Sequence, residues 1–287
     1  MAARILDGAA AAREIYARLK ERVAALNRMQ VRPRLAAVQV GDDPASKVYL
    51  RNKVRACDEV GVEPEVHRLA GDCPAGTLLA TLGQLNGDAR VHGVLLQLPL
   101  PRHLDADQAT QVIAPAKDVD GLTWTSLGAL LGGHPGFEPC TPAGVVALLE
   151  RAGVALEGRH AVVVGRSAIV GKPMALMLIA RGATVTVCHT RTRDLAEHTR
   201  RADILVVAAG RAGLVSGGMV KAGAAVVDVG VNRLPDGKLA GDVDFPSVSA
   251  VAGWVSPVPG GVGPMTVAMV IANTVRAAER AASLPAV

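Results

Sequence analysis

Apolar residues recur at intervals of three and four from Ala9 to Leu26, at Ile15, Leu19, Val23 and Leu26, and this spacing predicts a surface helix. Leu35 to Val40 is then a short apolar run stopped by Gly41-Asp42-Asp43-Pro44, which reads as a buried strand and a turn. Helical spacing resumes over Ser46 to Val60. The order repeats with a strand at Glu65 to Leu69, a helix at Ala75 to Asn86 and a strand from Gly93 to Leu98 halted by Pro99 and Pro101. Alternation of this kind is what crossovers between parallel strands require.

A further helix fits about Ser126 to Leu131, and the breaker-rich Gly132-Gly133-His134-Pro135-Gly136 is the best linker candidate. Beyond it, strands are predicted at Ala161 to Val164, Thr184 to Cys188, Ile204 to Ala208 and Ala225 to Val229. Helices fit at Gly171 to Arg181 and Asp194 to Arg201. Thr266 to Ala282 has no breaker and good helix formers, so a closing helix is expected there. The fold class is therefore α/β, with a parallel sheet in each half. The 287 residues suffice for two domains, and with only six aromatic side chains the cores must be filled by Ala, Val, Leu and Ile, as parallel sheets allow.

Charge alters this picture little. The net charge of +5 is scattered rather than run together, which argues against nucleic acid and suits phosphates or carboxylates of small molecules. Cys57, Cys73, Cys140 and Cys188 are dispersed without metal-ligand spacing; no metal site or disulfide framework is expected, and a reducing cytoplasm suits them. No secretory signal pattern begins the chain, and no apolar run reaches the ~18 residues of a membrane span.

The sharpest chemistry lies between Arg159 and Arg191. Ala161-Val162-Val163-Val164 runs into Gly165-Arg166-Ser167-Ala168-Ile169-Val170-Gly171, and a helix follows. This departs from Gly-x-Gly-x-x-Gly, with Ser167 in the second position and one extra residue before the last glycine. The physical requirements survive: a tight turn, small residues where backbone meets pyrophosphate, and a helix N-terminus facing the anion. A plain structural turn is the alternative reading. The next strand ends in Cys188-His189-Thr190-Arg191, where an NAD site would place an acid against the ribose 2′-hydroxyl. A hydroxyl and a guanidinium there, with Arg166 across the turn, suit a 2′-phosphate and hence NADP, unless Arg191 and Arg193 are solvated loop residues.

On the other side, Ser46, Tyr49 and Lys53 share one helix face. On spacing alone Tyr49 and Lys53 are an ordinary surface pair. Gln97 ends one strand, in Gln97-Leu98-Pro99-Leu100-Pro101, and Lys117-Asp118-Val119-Asp120-Gly121 follows another helix. Strand ends of parallel sheets face one crevice, where ligands bind.

With these motifs the chain resembles the bifunctional methylenetetrahydrofolate dehydrogenase/methenyltetrahydrofolate cyclohydrolase family over essentially its whole length. Also carrying the resemblance are Val40-Gly41-Asp42-Asp43-Pro44-Ala45-Ser46, Pro139-Cys140-Thr141-Pro142, Asp228-Val229-Gly230-Val231-Asn232-Arg233, Gly241-Asp242-Val243 and Pro257-Val258-Pro259-Gly260-Gly261-Val262-Gly263-Pro264-Met265-Thr266. The resemblance implies two α/β domains flanking a cleft, the C-terminal one a Rossmann-type parallel sheet. Residues 1–137 form the folate-binding domain, 138–265 the NADP domain, and 266–287 a closing helix packed back on the former. It implies Lys53 as the catalytic lysine with Gln97 beside it, Asp120 as the pterin-binding carboxylate and Tyr49 stacked on the aminobenzoyl ring. Pro259, Gly260 and Gly261 lie near the folate. Gly165, Arg166, Ser167, Thr190 and Val231 fall on cofactor contacts, with Arg191 added from the reading above.

The implied activity is NADP-dependent oxidation of 5,10-methylenetetrahydrofolate, then hydrolysis to 10-formyltetrahydrofolate, in a cytoplasmic homodimer acting on folates that carry one or several glutamates. The chain departs from the family at Ser126, where Asn is usual, and at Ala129, where Arg is frequent. Two other readings stand beside it: a dehydrogenase with little cyclohydrolase activity, and a non-catalytic NADP-binding protein, which has no need of Lys53, Gln97 and Asp120 together.

Overall fold

The computed structural model describes residues 2–134 and 136–282; Pro135 of the predicted linker and residues 283–287 of the closing segment lie outside the described residues. In chain order the first half runs β1 (Arg4–Ile5), α1 (Gly8–Arg28), β2 (Arg34–Val40), α2 (Pro44–Val60), β3 (Glu63–Leu69), α3 (Ala75–Gly87), β4 (Gly93–Leu96), α4 (Ala106–Val112) and α5 (Trp124–Leu131). The second half runs α6 (Cys140–Arg151), β5 (His160–Val164), α7 (Gly171–Ile179), β6 (Thr184–Cys188), α8 (Leu195–Thr199), β7 (Ile204–Val207), β8 (Ala225–Asp228), β9 (Asn232–Arg233), β10 (Leu239–Ala240), α9 (Phe245–Ser249), β11 (Trp254–Val255) and α10 (Val262–Ala281).

The chain clusters into two compact units. Among the described residues, one comprises Arg13–Cys140 and the chain from Val267 to Ala282; the other comprises Ala2–Ala12 and Thr141–Thr266. The first is built on a parallel sheet of order β3-β2-β4. Alternation along β2 sends Ala36, Val38 and Val40 to one face, where they pack with Val94 and Leu96 against Leu78, Leu82 and Leu85 of α3 and Ala109 of α4. The opposite face carries Leu35, Ala37 and Gln39. There α10 comes so near β4 that a Cβ on Gly93 would lie 3.0 Å from Thr274 Oγ1.

The second unit holds a six-stranded sheet of order β1-β11-β8-β7-β5-β6 with every pairing parallel. Its central strands are apolar on both faces because both are covered. Val162, Val164, Leu205, Val207 and Val226 pack with Val248 of α9 on one side, and α7 contributes Met174, Met177 and Leu178, all fully buried.

The units depart from the predicted division at the N-terminus. Residues up to Ala12 group with the six-stranded sheet, because Arg4 and Ile5 pair with Trp254 and Val255, and Ala9 N donates to Gly260 O at 3.1 Å. The other division falls after Cys140 rather than 137. The closing helix begins at Val262, four residues before Thr266, with Gly263 and Pro264 inside its first turn. α6 has no counterpart in the sequence reading: Pro142 there looks like a breaker but sits in the first turn, where its missing N–H costs nothing.

Candidate active site

The first set of side chains depends on how α2 is held. Asp43 caps it by accepting from Ser46 N at 2.8 Å, Pro44 opens the first turn, and Gly61 ends it in the left-handed region at φ 89°. Between those stops Tyr49 and Lys53 are one turn apart on one face, Tyr49 half-buried and Lys53 only 8% exposed. Lys53 Nζ donates to Gln97 Oε1 at 2.9 Å. Gln97 N continues the β4 ladder by donating to Val38 O at 2.8 Å, and its Nε2 donates to Leu98 O, also at 2.8 Å. That second bond orients the amide, so the oxygen is the end that faces Lys53.

Asp120 is placed by its neighbours. Lys117 Nζ ties the segment to the end of α3 through Leu85 O at 3.0 Å and Asp88 O at 2.7 Å. The Asp118 carboxylate, fully buried, accepts from Gly121 N, Leu122 N, Thr123 N and Ser126 Oγ at 2.6–3.1 Å and winds the following residues into a fixed turn. Ser126, the departure from the family's Asn, thus still supplies a side-chain donor at this point; nothing in the structure accounts for Ala129. Cys140 closes the far side, with N donating to Asp120 O at 3.2 Å and Sγ to Val119 O at 3.1 Å. Asn273 of α10 donates to the same Val119 carbonyl at 2.9 Å.

The electrostatics follow from burial. Lys53 is pushed below the usual lysine range by desolvation, against the opposing pull of Asp120 and of the two cysteines Cys140 and Cys57. Asp120 is raised by desolvation, with Lys53 acting to lower it. Both groups are therefore drawn toward their neutral forms. Cys140 is raised well above the usual thiol range by burial and by Asp120, and Cys57 is pushed up to about 12 by burial, so both stay protonated.

The second set lies along the C-terminal edge of the six-stranded sheet. After β5 the chain passes to β6 on one side and later to β7 on the other, which makes the end of β5 the switch point of the sheet. Gly165 sits there at φ 130°, and a Cβ on it would fall 2.2 Å from Ala208 O. Only glycine lets the turn lie down on the end of β7. Ser167 Oγ accepts from Val170 N at 3.1 Å and Gly171 N at 3.3 Å, shaping the entry to α7. Arg166, Ser167, Thr190, Arg191 and Val231 are all exposed along this edge. His189 N donates to Thr192 Oγ1 at 2.9 Å and Arg191 N to His189 Nδ1 at 3.1 Å, which curls the chain beyond β6.

Two buried aspartates lock the neighbouring loops. Asp242 accepts from Ala209 N at 2.6 Å, Gly210 N and Arg211 N at 2.8 Å and Asn232 Nδ2 at 2.9 Å. Asp228 accepts from Gly230 N, Asp242 N and Val243 N, each at 2.9 Å, while burial pushes its carboxyl up to about 6. Pro259, Gly260 and Gly261 belong to the same unit and form the turn before α10, with Gly261 N donating to Pro257 O at 2.9 Å.

Lys53, Gln97, Asp120 and Tyr49 are thus gathered in one unit, and Gly165, Arg166, Ser167, Thr190, Arg191 and Val231 along one sheet edge in the other. Sequence reasoning gave no role to Cys140, Asp118, Asp228 or Asp242, although each stands inside a quoted motif. Asn273 it missed outright; a lone amide in the apolar run of α10 was the available signal. Among the described residues no cluster of metal-ligating side chains occurs and no helix is long and apolar enough to cross a membrane.

Comparison with known proteins bears on both sets. Residues 6–120 match the family profile of the tetrahydrofolate dehydrogenase/cyclohydrolase catalytic domain, and residues 139–282 that of its NAD(P)-binding domain. The chain is 55% identical to the bifunctional protein FolD 2 of Bordetella pertussis over 98% of its own length and 100% of that protein. It is similar to the crystal structure of the bifunctional FolD methylenetetrahydrofolate dehydrogenase/cyclohydrolase of Campylobacter jejuni, with a TM-score of 0.95, 47% identity and coverage of 97% of this chain and 99% of that one. The Trypanosoma brucei methylenetetrahydrofolate dehydrogenase-cyclohydrolase, solved with NADP and an inhibitor, gives a TM-score of 0.94 at 38% identity, covering 98% of this chain and 99% of that one.

Proposed function

The chain belongs to the tetrahydrofolate dehydrogenase/cyclohydrolase family, and on that premise we propose that it oxidises 5,10-methylenetetrahydrofolate with NADP and hydrolyses the methenyl product to 10-formyltetrahydrofolate. The observation that carries this reading is the Lys53–Gln97 pair at 2.9 Å beside Asp120, a lysine that burial moves toward its neutral amine. A solvated surface lysine cannot serve as a base near neutral pH; a desolvated one can.

NADP, when bound, supplies the hydride acceptor for the first reaction. The Gly165 turn and the N-terminus of α7 take the pyrophosphate, while Arg166, Thr190 and Arg191 take the 2′-phosphate and Val231 contributes backbone. Asp120 accepts hydrogen bonds from the pterin ring N–H and amino group, and Tyr49 stacks on the aminobenzoyl ring; Pro259, Gly260 and Gly261 are assigned to the folate as well. Fixing the donor carbon is the main task of these groups in the oxidation.

The hydrolysis needs a proton acceptor. Lys53 as the free amine takes one proton from the attacking water as its oxygen bonds to the methenyl carbon. The bond from that carbon to the pterin-ring nitrogen then breaks, and the remaining hydroxyl proton goes to that nitrogen as the formyl C=O forms. Gln97 holds the amine by an N–H without adding charge. Four buried free thiols fit a reducing compartment such as the cytoplasm. The same reading makes the enzyme a homodimer acting on folates with one or several glutamates.

The test is a spectrophotometric assay with methylenetetrahydrofolate and either NADP or NAD. Reduction of NADP with only transient methenyltetrahydrofolate supports the proposal. Stoichiometric accumulation of the methenyl compound removes the cyclohydrolase, and no reduction removes the enzyme.

A further inference from the structure

Gly241-Asp242-Val243 follows the short hairpin of β9 and β10, and Asp242 is fully buried. Its two carboxylate oxygens divide between two loops. Oδ2 accepts from Ala209 N at 2.6 Å and Gly210 N at 2.8 Å, in the turn beyond β7. Oδ1 accepts from Arg211 N of the same turn at 2.8 Å and from Asn232 Nδ2, beyond β8, at 2.9 Å. The loop after β8 also packs directly on this carboxylate: a Cβ on Gly230, the residue before Val231, would fall 2.2 Å from Asp242 Cγ.

Asp242 is itself tied to the sheet. Asp228, at the end of the buried strand β8, accepts from Asp242 N and Val243 N at 2.9 Å, and Val215 N donates to Asp242 O at 3.1 Å. The turn it holds is different in kind, since Ala209, Gly210 and Arg211 are all exposed. Residues so exposed could give their N–H groups to water, whereas a carboxylate taken fully out of water costs free energy that its hydrogen bonds must offset. What the carboxylate adds is therefore a fixed position for the turn. That position bears on the cofactor edge. The turn begins at Ala208, whose N donates to Val164 O at 2.7 Å and whose carbonyl lies 2.2 Å from where a Cβ on Gly165 would stand. It thus backs on Gly165 at one side and, through Asp242, on the loop of Val231 at the other.

The geometry points to Asp242 as a positioning residue for the dehydrogenase reaction. It sets the turn after β7 and the loop after β8 at one spacing, so that a dinucleotide held between Gly165 and Val231 keeps a single pose for hydride transfer. The inference rests on the NADP reading of this edge and adds to it a residue outside both sets of site residues.

Asp242→Asn keeps the shape but offers one oxygen, so one pair of donors loses its acceptor and meets an NH₂ instead. The full chain is assayed for NADP-dependent oxidation of methylenetetrahydrofolate and, separately, for hydrolysis of methenyltetrahydrofolate supplied without cofactor, with thermal unfolding alongside. The dehydrogenase kcat at saturating NADP should fall roughly tenfold or more and the KM for NADP rise about threefold or more, with hydrolysis within about twofold of wild type. Asn232→Ala removes one of the four donors and leaves the six-stranded sheet intact. It should show the same split at smaller amplitude, and it decides the case in which Asp242→Asn does not fold. A merely structural role gives both activities falling in step with Tm, and that result in Asn232→Ala, or unchanged dehydrogenase kinetics in either variant, overturns the inference. A wild-type chain that does not reduce NADP overturns instead the reading on which it rests.

Discussion

The Lys53–Gln97 hydrogen bond makes a prediction about proton affinity. In Gln97→Leu the side-chain volume is nearly kept, but the oxygen 2.9 Å from Lys53 Nζ is gone. Hydrogen bonds to a charged partner are worth about 1.5–3 kcal/mol and those between neutral groups about 0.5–1.5, so the ammonium loses about 1.5 kcal/mol more than the amine does. At 1.36 kcal/mol per unit, that lowers the Lys53 pKa by about one further unit, in the same direction as the desolvation already acting on it. The sign follows from the role: a base works deprotonated, so cyclohydrolase kcat rises with pH through this pKa. The rising limb of the profile at saturating methenyltetrahydrofolate should therefore move about one unit to lower pH in the variant. Its plateau should fall by on the order of tenfold to a hundredfold, because the amine has lost its orientation. The KM for NADP should not change. A limb that stays in place, or moves to higher pH, refutes the argument that Gln97 sets the protonation of Lys53.

Other outcomes follow from the sheet edge. Arg191→Glu should raise the KM for NADP roughly tenfold or more while that for NAD changes little; equal effects on the two would remove the phosphate role. Gly165→Ala puts a methyl group 2.2 Å from Ala208 O at φ 130°. It should cost about 2 kcal/mol or more, seen as a Tm lower by on the order of 5 °C, and should weaken NADP; a wild-type melting point would contradict the packing described for the turn. Asp118→Ala removes the acceptor of four hydrogen bonds. It should raise the KM for folate well before that for NADP, as kinetics with each substrate varied would read.

What the sequence makes legible is what local periodicity encodes. α2 is readable because Asp43, Pro44 and Gly61 are its stops as well as its caps, and the β5 turn because glycine and serine stand where backbone must come close. The two-residue strands Arg4–Ile5 and Trp254–Val255 are too short to carry a period and exist only because β8 offers its edge. α6 was hidden by Pro142, whose meaning depends on whether it falls in the first turn or later. Within the site, the helix face and the strand end were each visible, but their 2.9 Å meeting was not, since residues 53 and 97 are 44 apart. Asn273 and Cys140, 133 apart, meet only through tertiary packing. Asp228 falls inside a predicted strand and Asp242 looks like a loop aspartate; their burial, which gives them their role in locking the loops, cannot be seen from one strand at a time.

The most direct test of the account is Lys53→Met, assayed for both reactions and for NADP binding in one preparation. The account predicts that hydrolysis of methenyltetrahydrofolate falls by a factor of about a hundred or more, with NADP affinity unchanged. Wild-type hydrolysis in that variant would contradict the assignment of Lys53 as the base.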